Sequence, residues 1–239
     1  MNKYLLLVII FILYFILLNC KEIIENYNNS LFKDMYIETT KFFPLDKCIK
    51  YKNIFYTSNL ITDNPLDDNF KGTKGFVIEF DSNNSLENFK QNNIEFMYDF
   101  FQQVRKSYAT DFILNVLIIP SKKTKNKNNY LLPISKSVDY HYDTTIEYNE
   151  KYKGKYFDFS LVPECVSVLY IDLPEEFSNG ELLLYGYGGI IPIGKIIPEI
   201  GKLVEFNGIL LHAVNDIFIN NELNNKNRIS IVLEQYTIK

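Results

Sequence analysis

The chain of 239 residues has no tryptophan, three cysteines and two histidines. Three cysteines cannot build the paired framework of a disulfide-stapled domain, and their spacing contains no zinc-type pair. Cys48 and Cys165 can pair or can both stay reduced, and the run Glu164-Cys165-Val166-Ser167-Val168-Leu169-Tyr170 reads as a strand carrying a small buried thiol. An excess of positive charge is also missing. Lysine and arginine number 25 against 29 acidic residues, a net charge of -4 that gives no reason to expect nucleic acid as a partner. The lysines gather in Lys122-Lys123-Thr124-Lys125-Asn126-Lys127, which reads as a solvated loop between strands. There is no repeat of solenoid length. What is present in quantity is apolar: 47% hydrophobic residues and 15% aromatics, the latter all Tyr and Phe, a composition that belongs to a globular protein.

The N-terminus stands apart from the fold. Lys3 precedes an almost unbroken apolar run from Tyr4 to Leu18, followed by Asn19, Cys20, Lys21 and Glu22. A positive start and a short apolar core fit a secretory signal better than a spanning helix of about 20 residues. Leu17-Leu18-Asn19-Cys20 also resembles a bacterial lipoprotein cleavage box, with Asn19 in place of the usual small residue, and an uncleaved anchor is the third possibility. Residues 1–20 are therefore expected to act as signal peptide, lipoprotein signal or membrane anchor. The protein is expected to be exported or membrane-tethered, in a secretory compartment if the source is eukaryotic. Residues 21–74, Asn-rich with scattered aromatics near their start, read as tether and lead-in. The main domain is expected over 75–239.

Gly75-Phe76-Val77-Ile78-Glu79-Phe80 and the run from Asp111 to Ile119 read as strands from their β-branched and aromatic content. Between them the spacing predicts one helix from about Ser85, its N-cap, with Leu86, Phe89, Ile94, Met97, Phe101 and Val104 along one broad face. After the lysine loop the pattern changes. Short strands are predicted at 130–134, 138–142, 165–173, 180–185, 201–206, 210–214 and 229–237, separated by Gly, Pro and Asn, a pattern that argues for a sandwich or jelly roll.

The two histidines lie in different strands of that region. In Val138-Asp139-Tyr140-His141-Tyr142-Asp143 a strand would place His141 and Asp143 on one face. His212 sits in Leu210-Leu211-His212-Ala213-Val214, after the strand-like Lys202-Leu203-Val204-Glu205-Phe206. Two imidazoles and one carboxylate form the facial ligand set that leaves positions open on non-haem Fe(II).

His141-x-Asp143, the distal His212, and Arg228 within Asn227-Arg228-Ile229-Ser230-Ile231 together resemble the Fe(II)- and 2-oxoglutarate-dependent dioxygenase superfamily, most closely its prolyl-hydroxylase-like branch. Gly180-Glu181-Leu182 and the segment Pro198 to Phe206 add to the likeness, which runs from about Tyr130 onward. The resemblance implies a mainly β protein with N-terminal helices, its core a double-stranded β-helix (a cupin-like jelly roll) from about residue 130. It implies His141, Asp143 and His212 as the metal-binding and catalytic set, and Arg228 as partner of the distal 2-oxoglutarate carboxylate. Ser230 and Tyr130 would assist, and Lys226 is an alternative to Arg228. The implied cofactor is Fe(II), with 2-oxoglutarate and dioxygen as cosubstrates and ascorbate as a further candidate. The implied reaction is hydroxylation of an unactivated carbon, in a peptidyl side chain such as prolyl or in a small molecule. The loops 122–129 and 148–159, the latter with Tyr148, Tyr152, Tyr156 and Phe157, would set specificity. A non-catalytic metal- or ligand-binding jelly roll is the alternative. The absence of H-E-x-x-H argues against a zinc hydrolase.

Overall fold

A computed structural model describes residues 34–123, 135–145, 162–186, 189, 191–219 and 227–238. The chain divides into two compact units, Met1–Met35 and Tyr36–Lys239; the account below concerns the second. In chain order it holds β1 (Tyr36–Thr39), α1 (Leu45–Thr57), β2 (Thr62–Asp63), β3 (Lys74–Asp81), α2 (Ser85–Gln91), α3 (Tyr98–Val104) and β4 (Asp111–Pro120). Strands alone follow: β5 (Lys122–Lys123), β6 (Lys136–His141), β7 (Cys165–Asp172), β8 (Ser178–Asn179), β9 (Leu182–Tyr185) and β10 (Pro192–Ile196). The last four are β11 (Leu203–Phe206), β12 (Leu211–Asn215), β13 (Ile217–Ile219) and β14 (Asn227–Tyr236).

A seven-stranded sheet has the order β1-β11-β7-β14-β4-β3-β2 and a four-stranded sheet the order β10-β9-β12-β6. From β4 onward the chain passes back and forth between them: β4 large, β6 small, β7 large, β9 and β10 small, β11 large, β12 small, β14 large. All pairings within these two sheets are antiparallel. This winding is the expected double-stranded β-helix. It begins at β4, ahead of the lysine loop, because β4 pairs with β14 over ten consecutive positions from Asn227↔Pro120 to Tyr236↔Asp111. A core starting near Tyr130 would have left β14 with one neighbour.

The central strands β4, β7 and β14 of the large sheet are buried on both faces, which explains why they read as largely apolar runs. On β4, Phe112, Leu114, Val116 and Ile118 join Ile229, Ile231 and Leu233 of β14 in a core shared with Phe55, Phe101 and the other rings of the helical layer. The alternate residues, Asn115 and Leu117 with Arg228, Ser230 and Val232, turn to the pocket between the sheets.

The single helix expected from Ser85 is two helices. Asn84 takes the N-cap position and Ser85 is the first helical residue. The break falls at Asn93, whose φ of 57° is left-handed, a conformation asparagine tolerates better than most residues. Ile94 N donates to Phe89 O at 2.9 Å and Asn93 N to Lys90 O at 3.0 Å, the paired bonds of a Schellman stop. A 3-10 turn, Glu95–Met97, then starts α3. Phe89, Met97 and Phe101 still reach one core, because the turn re-aims the second helix.

From Tyr36 on, the stretch read as tether and lead-in is built into this unit. β1 pairs with β11, Tyr36↔Phe206 to Thr39↔Leu203. Helix α1 buries Cys48, Tyr51 and Phe55, a stripe too narrow in a Lys-rich segment to stand out by periodicity. Cys48 and Cys165 are both free and buried, and burial pushes each thiol up to about 11. The strand expected at 130–134 and the residues Tyr130, Tyr148, Tyr152, Tyr156, Phe157 and Lys226 lie outside the described residues, as does the apolar N-terminal run. No helix among the described residues is long and apolar enough to cross a membrane.

Candidate metal centre

His141 and His212 are cross-strand partners, on β6 and β12 of the small sheet. Period-two alternation does not bring them there. From Val138 to His141 is three residues on β6, while the facing step from Val214 to His212 is two on β12, so the register shifts at a bulge. A bulge inserts one extra residue and re-aims the side chain that follows. Asp139 and Tyr140 are exposed, whereas Val138 and His141 both line the pocket. β6 ends at His141. Asp143 is therefore on the loop that follows and not on the strand, as the sequence had suggested; its loop brings the carboxylate back to the two rings.

The three side chains converge. Asp143 Oδ1 is 3.6 Å from His141 Nε2, and Asp143 Oδ2 is 3.4 Å from His212 Nε2. The two imidazole centroids are 4.2 Å apart. All three ligand atoms lie within 4.8 Å of one another, the one such group found among the described residues. Adjacent ligands on a metal at about 2.1 Å sit about 3 Å apart, so a small contraction would close this set around an ion.

Each imidazole is oriented by backbone. His141 Nδ1 donates to Asp139 O at 2.8 Å, the carbonyl of the bulge, and His212 Nδ1 donates to Leu210 O at 3.0 Å. A carbonyl can only accept, so Nδ1 carries a proton, and in the neutral ring the Nε2 lone pair points at the centre, the arrangement of metal-ligating histidines. Asp143 Oδ2 is buried and has no hydrogen-bond partner. Burial alone would raise the Asp143 pKa, but the two imidazoles outweigh it and hold the carboxyl below its ordinary range. For His212, burial opposes the charged form and Asp143 favours it, with a net rise. Phe70 packs on His141 with centroids 4.8 Å apart, and Phe206 on His212 at 5.0 Å. The donor set, the fixed tautomers and the orphaned oxygen fit a divalent cation.

Arg228 lies in the same pocket and is 1% exposed. Its Nη1 donates to Gly180 O at 2.8 Å, and its guanidinium lies over the Tyr170 ring, 4.9 Å from the centroid. Gly180 has a φ of 81°, the left-handed backbone that favours glycine. Arg228 Nε has no partner, and among the described residues no carboxylate forms an ion pair with Arg228. Burial lowers its pKa, with Tyr170 opposing. Ser230 Oγ, Asn115 Oδ1 and Tyr170 Oη are buried and unpartnered too.

Glu234 completes the inward row of β14. It accepts from Thr145 Oγ1 at 2.8 Å and from the Tyr236 hydroxyl. Burial, and then the nearby Asp143, raise its pKa well above the ordinary value against these hydrogen bonds.

Phe70, Tyr170, Asn115 and Glu234 were not singled out from the sequence. Asn115 and Glu234 left a signal, each a polar residue inside an apolar strand. Tyr170 did not, because a tyrosine in a Val- and Leu-rich strand reads as packing, and Phe70 sits in the segment taken as lead-in.

No family model matches the chain, and no curated protein matches it. Solved structures do. A Pseudomonas putida prolyl-4-hydroxylase is 15% identical, with 90% of this chain and 99% of that chain covered and a TM-score of 0.48. A prolyl hydroxylase from Trichoplax adhaerens, in complex with a hypoxia inducible factor oxygen degradation domain peptide fragment, is 14% identical, with 92% of each chain covered and a TM-score of 0.48. An oxidoreductase of the 2OG-Fe(II) oxygenase family from Burkholderia pseudomallei is 12% identical, with 90% of each chain covered and a TM-score of 0.46.

Proposed function

We propose that the protein is an Fe(II)- and 2-oxoglutarate-dependent oxygenase that hydroxylates an unactivated carbon. One observation carries this reading: a buried guanidinium with no anionic partner among the described residues shares an inter-sheet pocket with a convergent His-Asp-His set. Burying an unpaired charge costs several kcal/mol, so the pocket is built for an anion as well as a cation.

His141, Asp143 and His212 would hold the iron by two neutral imidazoles and one carboxylate, leaving one side of the ion open. Bound there, Fe(II) would supply activation of dioxygen, one oxygen atom going to the succinate formed with carbon dioxide from 2-oxoglutarate and the other to the hydroxylated carbon. The chain's share is placement. Arg228 offers a planar fork of donors to a carboxylate, and Ser230 and Tyr170 can add hydroxyl donors beside it. Phe70 and Phe206 pack against the two imidazoles and help to hold the rings in place.

A prolyl or other peptidyl side chain is the first substrate class to try, on the strength of the motif resemblance, with a small molecule as the other. The apolar run from Tyr4 to Leu18 supports export or membrane tethering. The direct test is anaerobic absorption spectroscopy of the protein with Fe(II) and 2-oxoglutarate. A visible charge-transfer band is expected, absent in His212→Ala and needing far more 2-oxoglutarate in Arg228→Ala. Iron binding without the band would favour a non-catalytic metal-binding jelly roll.

A further inference from the structure

We propose that Glu234 is a positioning residue of the metal centre, which acts through Thr145 to fix the segment carrying Asp143 against β14. This rests on reading His141, Asp143 and His212 as metal ligands. Asp143 follows the end of β6, so no strand ladder holds its backbone. Two residues later the segment is tied to the opposite sheet, where Thr145 Oγ1 donates to Glu234 Oε1 at 2.8 Å. Tyr236, two positions further on β14, donates to Glu234 Oε2 and locks the acceptor itself.

Glu234 is 1% exposed and forms no ion pair among the described residues. An apolar side chain would fill that place at lower cost to the fold, so stability does not explain a carboxylate there. Orientation does. Glu234 stands on the inward side of β14, in one row with Arg228 and Ser230. One rigid strand therefore carries the anion hook near one end and the brace of the metal's carboxylate ligand near the other. Partners that orient a metal ligand typically contribute 10- to 100-fold in metal affinity.

The test is Mn(II) binding to the metal-free, full-length chain, followed by the electron paramagnetic resonance of free Mn(II), with thermal unfolding by circular dichroism alongside. Thr145→Val and Glu234→Leu are expected to weaken Mn(II) binding about 10-fold or more. Thr145→Ser and Glu234→Gln, which keep a donor and an acceptor in place, are expected to restore it. His212→Ala is the reference. If Thr145→Val binds Mn(II) like the parent while His212→Ala does not, the bracing role is refuted and the metal centre stands. Failure of Thr145→Ser to recover affinity refutes it also. If His212→Ala itself binds like the parent, the metal-centre reading fails and this inference with it. Should Glu234→Leu not fold, the Thr145 pair decides.

Discussion

Arg228 destabilises the ligand-free protein in proportion to the anion it lacks. A charge buried without a partner costs the fold several kcal/mol of desolvation, a penalty that an apolar side chain of similar size does not carry. Arg228→Met is therefore expected to leave the metal-free, cosubstrate-free protein at least as stable to urea as the parent. The same change should raise the 2-oxoglutarate concentration for half-saturation about tenfold or more, read from the absorption band. A simple packing arginine would show neither split. Glu234 gives a second residue-scale prediction, in pH. Its folded pKa is raised above the unfolded value of 4.5, so its contribution is fully present below that value and is lost as pH rises through the folded pKa. Glu234→Gln cannot ionise. The Tm of the metal-free variant should therefore gain on that of the parent from about pH 5 upward, and parallel Tm curves would contradict the burial of an ionisable group there.

At the scale of elements, the sheet edges and turns decide where the site can stand. Gly201, just before β11, has a φ of 78°, and a Cβ there would lie 2.3 Å from Phe43 O. Phe43 N also donates to Gly201 O at 3.1 Å, so the backbone cannot step aside without losing that bond. Gly201→Ala is expected to cost about 2 kcal/mol or more by urea denaturation. The helical layer makes a different kind of contribution. Phe101 packs edge-on to Phe112 with centroids 4.9 Å apart and is fully buried. Phe101→Ala is expected to cost about 3–5 kcal/mol while leaving metal affinity in the surviving folded fraction unchanged, since Phe101 packs between the helical layer and the face of the large sheet turned away from the pocket.

For the molecule as a whole, metal and cosubstrate should act as ligands of the native state alone. At a hundredfold excess over Kd, such a ligand stabilises by about 2.7 kcal/mol. Mn(II) should raise the Tm, 2-oxoglutarate should add to it only when metal is present, and a chelator should reverse both. Much of this molecule was legible in the sequence, for physical reasons that differ from part to part. β4, β7 and β14 announced themselves because strands buried on both faces are apolar at most positions, with few polar residues between. His141, Asp143, His212 and Arg228 stood out because those residue types are rare in such a setting. β1, α1 and Phe70 did not, because short or narrow-striped elements in a polar stretch carry little periodicity, and only pairing with β11 and packing on β7 and His141 give them a place. The split of the helix at Asn93 was hidden because its apolar residues keep helical spacing on both sides of the stop.

The bulge on β6 makes a count of residues part of the chemistry. Were β6 to pair with β12 without its bulge, the three-residue step from Val138 would put His141 on the opposite face and send its imidazole to solvent. Every ligand letter would still be present in order. A sequence whose β6 lost the bulge would pass any comparison by motif and encode a protein whose ligand set does not close, so the local register of β6 is a better mark of a working site than the motif itself.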